Sequence, residues 1–404
     1  MIIKEKDMKP VKDRISELAS TYFDEMQQIR RHFHKHPELS MEEVETSAYI
    51  CRKLDDFGIP YQTGIAKTGV VGLIRGSKSG SRCIALRADM DALPVTEENK
   101  AGYISTVPGK MHACGHDAHM ACLLGAAKIL TTLKGEFGGC VKLIFQPSEE
   151  TYPGGAIQMI EAGVLKDPDV DHVIGLHVFP LLEAGKTGFR PGPYMASTDE
   201  VFLTVKGKGG HAASPNLAVD PILIASHIVI ALQQIVSRNA NPVIPTVVSF
   251  GRIMGEGRTN IIPDEVRIDG TIRTYNEEWR KEIHRRIQTI ASSIAVSMGG
   301  SCEVRIAHGY PGVENDEKLT RSLAAFAAEY LGENNVVSLD QKMTAEDFAY
   351  YGKQVPSCFF RLGIRNEEKG IVANLHSSSF DIDEKALETG AGTMAWLALN
   401  LLSE

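Results

Sequence analysis

The sequence lacks the features of several large classes of protein. Its 43 lysines and arginines are outnumbered by 51 acidic residues, which gives a formal net charge of −8. Because no basic stripe can neutralise phosphates, the composition argues against a nucleic-acid partner, although one arginine in a cleft is enough for a small anionic substrate. The sequence also has no run of about 20 apolar residues that would span a bilayer, and no apolar segment near its start that is typical of a secretory signal. We therefore expect no membrane partner.

Cysteine is present without a recurring pattern. The chain has seven cysteines, an odd number, and their spacing does not repeat, so no disulfide framework is predicted. Reduced thiols are typical of cytosolic proteins, and we expect a cytoplasmic location. Most of these side chains are expected to be small and buried, with Cys114 as the exception.

The order of apolar segments indicates two domains. A chain of 404 residues exceeds the size of one ordinary core. In residues 1–187, short apolar strands alternate with helices, which is typical of an α/β domain with a largely parallel sheet flanked by helices. One of these helices is predicted over 41–57, with Ser40 and Glu43 as a capping box. The same α/β pattern resumes in residues 304–404 and is expected to complete the first domain.

Residues 188–303 have an order of their own. Strand, helix, two strands, helix and strand follow one another, which predicts an inserted βαββαβ, or ferredoxin-like, domain. The apolar helix predicted over 219–236 favours a homodimer formed through this insertion, and a monomer with a closing lid is the alternative.

Polar residues collect at the carboxyl ends of the predicted strands in the first domain, where open α/β sheets bind their ligands. Asp89, Glu149, Glu150 and His177 all lie there. Adjacent carboxylates repel each other unless a cation or a proton separates them, and a metal ion resolves this conflict. We predict that Glu150 is a metal ligand and that Glu149 is the general base that takes a proton from water.

The segment Met-His-Ala-Cys-Gly-His-Asp, residues 111–117, places Cys114 and His116 on a tight glycine turn before a predicted helix. A thiolate and an imidazole suit a borderline ion such as zinc, manganese or cobalt. The helix N-terminus favours a thiolate, and a thiolate can bridge two cations. His177 at a strand end and His376 in a polar loop are further candidate ligands, each weak by itself.

The inserted domain supplies candidates for contacts with the substrate. His211 lies between a glycine turn and small residues, so it is expected to be exposed and able to donate to an oxyanion. Asn260 is a second candidate for the same role. Arg273, at the end of a strand, is a candidate for bidentate binding of a substrate carboxylate, with a structural ion pair as an equally good interpretation.

Seven motifs, in order, resemble the amidohydrolase branch of the aminoacylase/carboxypeptidase-type di-metal metallopeptidases. They are LRADMDALP (86–94), MHACGHD (111–117), QPSEE (146–150), GLHV (175–178), GKGGHAASP (207–215), TNIIPD (259–264) and LHSSSFD (375–381). Plant auxin-conjugate hydrolases, hippurate hydrolases and bacterial N-acyl-amino-acid deacylases are similar to it. The resemblance implies a di-metal α/β catalytic domain with an inserted dimerisation or lid domain. It implies Glu149 as the base and five metal ligands: Cys114, His116, Glu150, His177 and His376.

The resemblance implies two further roles. His211 matches a histidine that, in that family, can complete the site of the neighbouring subunit, and Asp89 matches an acidic residue that supports a metal ligand. The wider family commonly has His-x-Asp at this strand end, whereas this chain has Arg87-Ala-Asp89. One usual ligand is therefore missing, and Cys114 with His116 is expected to replace it. The expected cofactors are two divalent transition-metal ions, first manganese or zinc and then cobalt or nickel.

These observations predict an enzyme that hydrolyses the amide bond of N-acyl amino acids. A dipeptidase or carboxypeptidase with the same centre is the nearest alternative, and it differs only in the acyl side that it accepts. A cysteine hydrolase with Cys114 as its nucleophile and a non-catalytic metal-binding scaffold are the others. The resemblance favours the first interpretation, with a small N-acylated amino acid or a short peptide as the partner.

Overall fold

The computed structural model describes residues 9–403, which form two compact units. Unit 1 contains the chain up to Gly192, Glu314–Asp340 and the residues from Asp347 onward, and unit 2 contains Pro193–Val313 and Gln341–Glu346. The insertion predicted over 188–303 and the long segment of unit 2 cover nearly the same residues. The assignment of one unit to catalysis and the other to a lid or dimer interface stays a prediction.

The helices and strands of the described residues are named here in chain order. The elements before the insertion are α1 (Val11–Thr21), α2 (Phe23–Lys35), α3 (Val44–Asp56), β1 (Tyr61–Ile65), β2 (Gly69–Arg75), β3 (Lys78–Asp89), α4 (His116–Thr132), β4 (Gly138–Gln146), α5 (Gly155–Glu161), β5 (His172–Glu183), β6 (Thr187–Phe189) and β7 (Gly192–Met195). The inserted elements are β8 (Ser197–Lys206), β9 (Gly210–His211), α6 (Pro221–Leu232), β10 (Thr246–Met254), β11 (Ile261–Ile262), β12 (Glu265–Thr274), α7 (Glu277–Ser297) and β13 (Ser301–His308). The chain ends with β14 (Val313–Asn315), α8 (Glu317–Leu331), β15 (Val336–Ser338), α9 (Ala349–Gly352), β16 (Ser357–Arg365) and α10 (Ala386–Ser403).

Unit 1 is built on a mixed sheet of strand order β1-β2-β4-β3-β5-β16-β6-β15. Its centre, β4-β3-β5-β16, is parallel. The strands β1 and β2 pair antiparallel to their neighbours, and β6 is antiparallel to β16 but parallel to β15. The central strands carry apolar runs because helices cover both faces of such a sheet. The helices α4 and α10 are buried along most of their length and form much of this core. The predicted fold class, an α/β unit with a largely parallel sheet, is confirmed.

The parallel strands bring their carboxyl ends to one edge of the sheet, but they do not end together. The pairing of β3 with β4 continues to Asp89 opposite Gln146. The pairing of β3 with β5 stops two residues earlier, at Arg87 opposite Gly175. The two strands therefore separate just before His177, and the side chains that follow them face a gap in the sheet.

Unit 2 has a four-stranded antiparallel sheet of order β10-β12-β8-β13. With α6 and α7, this is the predicted βαββαβ arrangement. In α6, Ile224 and Ile228 are buried, whereas Ile222 and Ile230 are exposed. The helical segment Pro221–Asn239, with 33% of its most apolar stretch buried, is long and apolar enough to cross a membrane by length and composition alone. Its buried side chains belong to the core of unit 2, as in the core helix of a globular domain.

The predicted capping box of α3 is wrong. This helix begins at Val44, and its first N–H groups donate to the carboxylate of Glu38. The Ser40 hydroxyl instead donates to Asp91 Oδ2 at 2.6 Å, and Glu43 accepts hydrogen bonds from the Thr68 hydroxyl and the Ser148 N–H. Ser40 and Glu43 have the spacing of a capping box, but both side chains instead form hydrogen bonds with residues next to the strands of the sheet.

Candidate metal centre

The turn that precedes α4 holds Cys114 and His116 against β5. Gly115 between them has φ of +85°, and a Cβ atom there would lie 2.4 Å from Val178 Cγ2. A side chain at this position is therefore excluded both by the left-handed backbone and by the close approach of β5. This approach places Cys114 Sγ 3.5 Å from His177 Nε2.

The glutamate pair is positioned by its own backbone. After β4 ends, Ser148 adopts φ of +53°, and the N–H groups of Glu149 and Glu150 then donate to Asp91 Oδ1 and Oδ2, both at 3.0 Å. One carboxylate thus fixes both residues. Candidate ligand atoms of Glu149, Glu150 and His116 lie within 4.8 Å of one another.

Five side chains from distant segments meet at this edge of the sheet. One group of potential ligands is Cys114, His116 and His177, and a second is Cys114, Glu150 and His376; within each, the ligand atoms lie within 4.8 Å of one another. His376 Nε2 lies 3.4 Å from Glu150 Oε1. Cys114 belongs to both groups, so its sulfur is a potential ligand in each of them.

The hydrogen bonds of the site leave some potential ligand atoms without a hydrogen-bond partner among the described residues. His116 Nδ1 donates to the Asp91 carbonyl oxygen at 2.7 Å, and His177 Nδ1 donates to the Val178 carbonyl oxygen at 2.7 Å. Each ring is thereby oriented with Nε2 toward the other potential ligands, as is usual for metal-binding histidines. Within the described residues, His116 Nε2 and Glu150 Oε1 are buried without a hydrogen-bond partner. Such atoms are costly unless a cation satisfies them, so the residues fit a metal centre.

The electrostatics of the site also favour a cation. Burial, and then the charges of Glu150 and Glu149, raise the pKa of the Cys114 thiol well above its usual range. These influences oppose the N-terminus of α4, which would favour a thiolate. Burial would lower the pKa of His116, but Asp89 and Asp91 outweigh it and raise that pKa to about 10. A metal ion would have to displace protons from both groups, as ligand binding by thiols and imidazoles generally requires.

Asp89 does not hydrogen-bond any of the five predicted ligands. Its carboxylate accepts from His119 Nδ1 and from Arg87 Nη1, both at 2.6 Å, while His116 Nδ1 lies 3.7 Å away. The direct contact to His116 is made by Asp91, two residues later. Asp91 lies beyond the strand end, where its backbone can reach the ring. The supporting role that the sequence predicts for Asp89 stays a prediction.

The three candidates in the inserted domain lie in unit 2. His211 and Asn260 are exposed and adjacent, since His211 pairs with Ile261 in the ribbon of β9 and β11 and the Ala212 N–H donates to the Asn260 carbonyl oxygen. Arg273 lies on β12, where it donates to the Thr271 hydroxyl and, at 2.9 Å, to the Ile272 carbonyl oxygen. Arg273 thus hydrogen-bonds to its own strand, and both of its predicted roles stay predictions.

Sequence reasoning missed the hydrogen bonds that Asp91, His119 and Arg87 make at the strand ends beside the candidate ligands. The spacing gave a partial signal, because Asp89-Met-Asp91 offers two carboxylates at one strand end, but it does not say which of them reaches a ligand. His119 stands one turn after His116 on α4, and its role depends on the gap between β3 and β5.

The fold and the site together define an α/β enzyme with a candidate two-metal centre of thiol, imidazole and carboxylate ligands. Residues 85–400 match peptidase family M20/M25/M40. This chain belongs to that family, and the predicted resemblance is confirmed.

Relatives of known name agree with this assignment. The N-acetylcysteine deacetylase of Bacillus subtilis is 39% identical over 375 residues, which cover 93% of this chain and 96% of that protein. Thermostable carboxypeptidase 1 of Saccharolobus solfataricus is 41% identical over 375 residues, covering 92% and 94%. A crystal structure of a B. subtilis protein, described as a dinuclear metal binding peptidase from the M20 family, has a TM-score of 0.83 and 35% identity, covering 95% of this chain and 99% of that one. The chain is therefore a hydrolase that acts on C–N bonds, as predicted.

Proposed function

We propose that this enzyme hydrolyses the amide bond of N-acyl amino acids at a centre of two divalent cations. The observation that carries the proposal is the convergence of five potential ligands beside a second glutamate, Glu149. The similarity to an N-acetylcysteine deacetylase supports the substrate class that the sequence predicts. The proposed ligands are Cys114, His116, Glu150, His177 and His376. The proposed ions are manganese or zinc ahead of cobalt or nickel; mixed sulfur, nitrogen and oxygen ligands accept all four, and metal availability decides among them.

Glu149 is the proposed general base. Bound cations would polarise the amide carbonyl and lower the pKa of water. Glu149 is 7% exposed, its backbone is fixed by Asp91, and its carboxylate lies beside His116 and Glu150. From this position it takes a proton from the attacking water and returns it to the leaving amine, so that one residue serves as base and then as acid.

The inserted domain supplies the remaining proposed contacts. His211 Nδ1 accepts a hydrogen bond from the Ala213 N–H at 3.1 Å, so in the neutral ring the proton is on Nε2 and can be donated. We assign this donor, with Asn260, to the developing oxyanion. Arg273 is the proposed partner of the substrate carboxylate, because a guanidinium matches that group in shape and charge.

Peptide cleavage is the second candidate, because a carboxypeptidase is among the relatives. The two activities differ in the acyl side. A panel of acetyl, benzoyl and indoleacetyl amino acids beside dipeptides, assayed with defined metals, separates them. The proposal predicts that kcat/KM for at least one simple N-acyl amino acid is higher than kcat/KM for every dipeptide. The reverse order would assign the enzyme to the peptidases.

A cysteine nucleophile is disfavoured by the surroundings of Cys114. The thiol is buried among carboxylates that raise its pKa, whereas a nucleophilic cysteine needs groups that lower it. Complete loss of activity with a chelator, and recovery with manganese or zinc, is the expected result. Activity that survives removal of all bound metal would restore the cysteine mechanism.

Two features of the setting stay proposals. We propose a homodimer formed through unit 2, supported by the exposed apolar side chains of Ile222, Leu223 and Ile230 on α6, because such side chains gather at contact surfaces. We also propose a cytoplasmic location, in keeping with the buried free cysteines.

A further inference from the structure

We infer that His119 is a positioning residue, which holds the strand end that carries His177 and thereby sets the affinity of the metal centre. This inference rests on the proposed function, since it assumes that His177 is a ligand. It concerns a side chain that the mechanism does not use and that no motif assigned to a role.

The first step is the gap in the sheet. Because the pairing of β3 with β5 stops at Gly175, the backbone N–H groups of β5 beyond that point have no partner strand on the β3 side among residues 9–403. A buried backbone N–H without an acceptor is rare and costly. His119 supplies the acceptor, because the Val178 N–H donates to His119 Nε2 at 2.9 Å.

The second step is the proton on the ring. An N–H donor faces His119 Nε2, so this nitrogen must present its lone pair, and the proton must lie on Nδ1. Nδ1 donates to Asp89 Oδ1 at 2.6 Å. Asp89 is held by Arg87, which also donates to Gln146 Oε1 and Asp347 Oδ1, both at 2.9 Å. Arg87, Asp89 and His119 are all essentially buried, so the orientation of the ring is fixed from behind.

The third step leads to the metal centre. Val178 is the residue whose N–H is held by His119 and whose carbonyl oxygen accepts from His177 Nδ1 at 2.7 Å. The His177 ring is therefore oriented by a residue that His119 fixes. The same Val178 packs against Gly115, between the ligands Cys114 and His116. One clamp on Val178 thus sets the relative position of ligands from two elements.

A metal-ligand role for His119 is the alternative, because Asp89, His116 and His119 also have potential ligand atoms within 4.8 Å of one another. The hydrogen bonds argue against it. Both ring nitrogens of His119 are already used, one as donor and one as acceptor, whereas His116 Nε2 has no partner within the described residues. His119 would have to give up the Val178 N–H to bind an ion.

The test measures metal affinity of the purified, metal-replete enzyme by competition with a chromogenic chelator, with zinc as the ion. His119→Phe removes both hydrogen bonds. It is expected to lower the affinity for one of the two zinc ions about 10- to 100-fold, the usual effect of losing a residue that orients a ligand. His119→Gln keeps an acceptor for the Val178 N–H and is expected to recover most of this loss. His112→Phe is the matched control, because His112 is also fully buried and neither of its ring nitrogens has a partner within the described residues; its zinc affinity should stay within about threefold of the parent.

Each outcome decides. A His119→Phe enzyme that binds both ions as tightly as the parent overturns the inference, and so does an equal loss in the His112→Phe control. If His119→Phe does not fold, His119→Leu is compared with His119→Gln. The Leu variant has no acceptor for the Val178 N–H and must lose zinc affinity by more than about threefold. The Gln variant keeps an acceptor and must lose less than about threefold, or the inference is overturned. A parent that binds no zinc contradicts the proposed function instead, so the two failures are distinguishable.

Discussion

Two regions of this molecule bury charged groups, and they differ in what they leave over. In unit 2, both oxygens of Asp199 are used: Oδ1 accepts from Arg280 and from the Gly309 N–H, and Oδ2 accepts from Arg280 and from His284. In unit 1, His116 Nε2 and Glu150 Oε1 are buried and have no hydrogen-bond partner within the described residues. The cluster in unit 2 is complete without a ligand, whereas the site in unit 1 is not. The buried charges of the Asp199 cluster therefore satisfy one another, whereas several candidate ligands converge in unit 1 with bonding capacity left for a cation.

Substitution of Glu149 is expected to have the largest effect and tests whether the site in unit 1 is catalytic. Glu149→Gln removes the proposed base while keeping nearly the same volume, so kcat should fall at least about 100-fold, the lower range for a general base. Metal content should not change, because Glu150 is the proposed ligand. Steady-state kinetics with elemental analysis of the same preparation measure both. Turnover within tenfold of the parent would remove Glu149 from the mechanism.

The next effect concerns the fit between the turn of α4 and β5. Gly115→Ala places a methyl group 2.4 Å from Val178 Cγ2 in a left-handed backbone, and we expect a loss of about 1–3 kcal/mol in stability together with weaker metal binding. Thermal unfolding and chelator competition measure these changes. Gly102→Ala is the control, because a Cβ atom there meets no neighbour within 4 Å. Equal behaviour of the two variants would mean that the turn does not position the ligands.

The smallest expected effect sharpens the other side of the comparison. Burial alone would raise the pKa of Asp199, but hydrogen bonds from Arg280 and His284 outweigh it and lower this pKa from 3.8 to about 2. A carboxyl group whose pKa is lowered in the folded protein stabilises the fold at pH values above its ordinary pKa. This stabilisation is lost as the pH falls toward the pKa of the folded state. The shift corresponds to roughly 2 kcal/mol.

Thermal unfolding of the parent and of Asp199→Asn between pH 5 and pH 2 tests this expectation. The parent should have the higher Tm at pH 5, and the difference in Tm between the two proteins should shrink as the pH falls from about 4 toward 2. Metal content at neutral pH should be the same in both proteins. An advantage that stays constant over the whole range would show that the Asp199 cluster does not depend on its charge.

Much of the fold and of the candidate site is readable from the sequence. Apolar strands that alternate with helices specify an α/β unit, and the parallel centre of its sheet brings Glu149 and His177 to one edge without any knowledge of distances. The pattern over 188–303 likewise specifies the inserted βαββαβ order. The motif resemblance strengthened the prediction for His376, whose polar loop is weak evidence by itself.

The remainder depends on where strands end. Ser40 and Glu43 have the spacing of a helix cap, yet they bond strand-end groups that no local pattern reveals. The choice between Asp89 and Asp91 depends on a backbone carbonyl that reaches His116. The role of His119 depends on the early end of one ladder, and the length of a ladder is set by tertiary packing rather than by local propensity.

Elemental analysis of the purified, metal-replete enzyme tests the central claim most directly. The account predicts two transition-metal ions per chain in the parent and a loss of at least one in Cys114→Ser, because that sulfur belongs to both groups of ligands. A parent enzyme that retains no transition metal after purification in its presence would contradict the account.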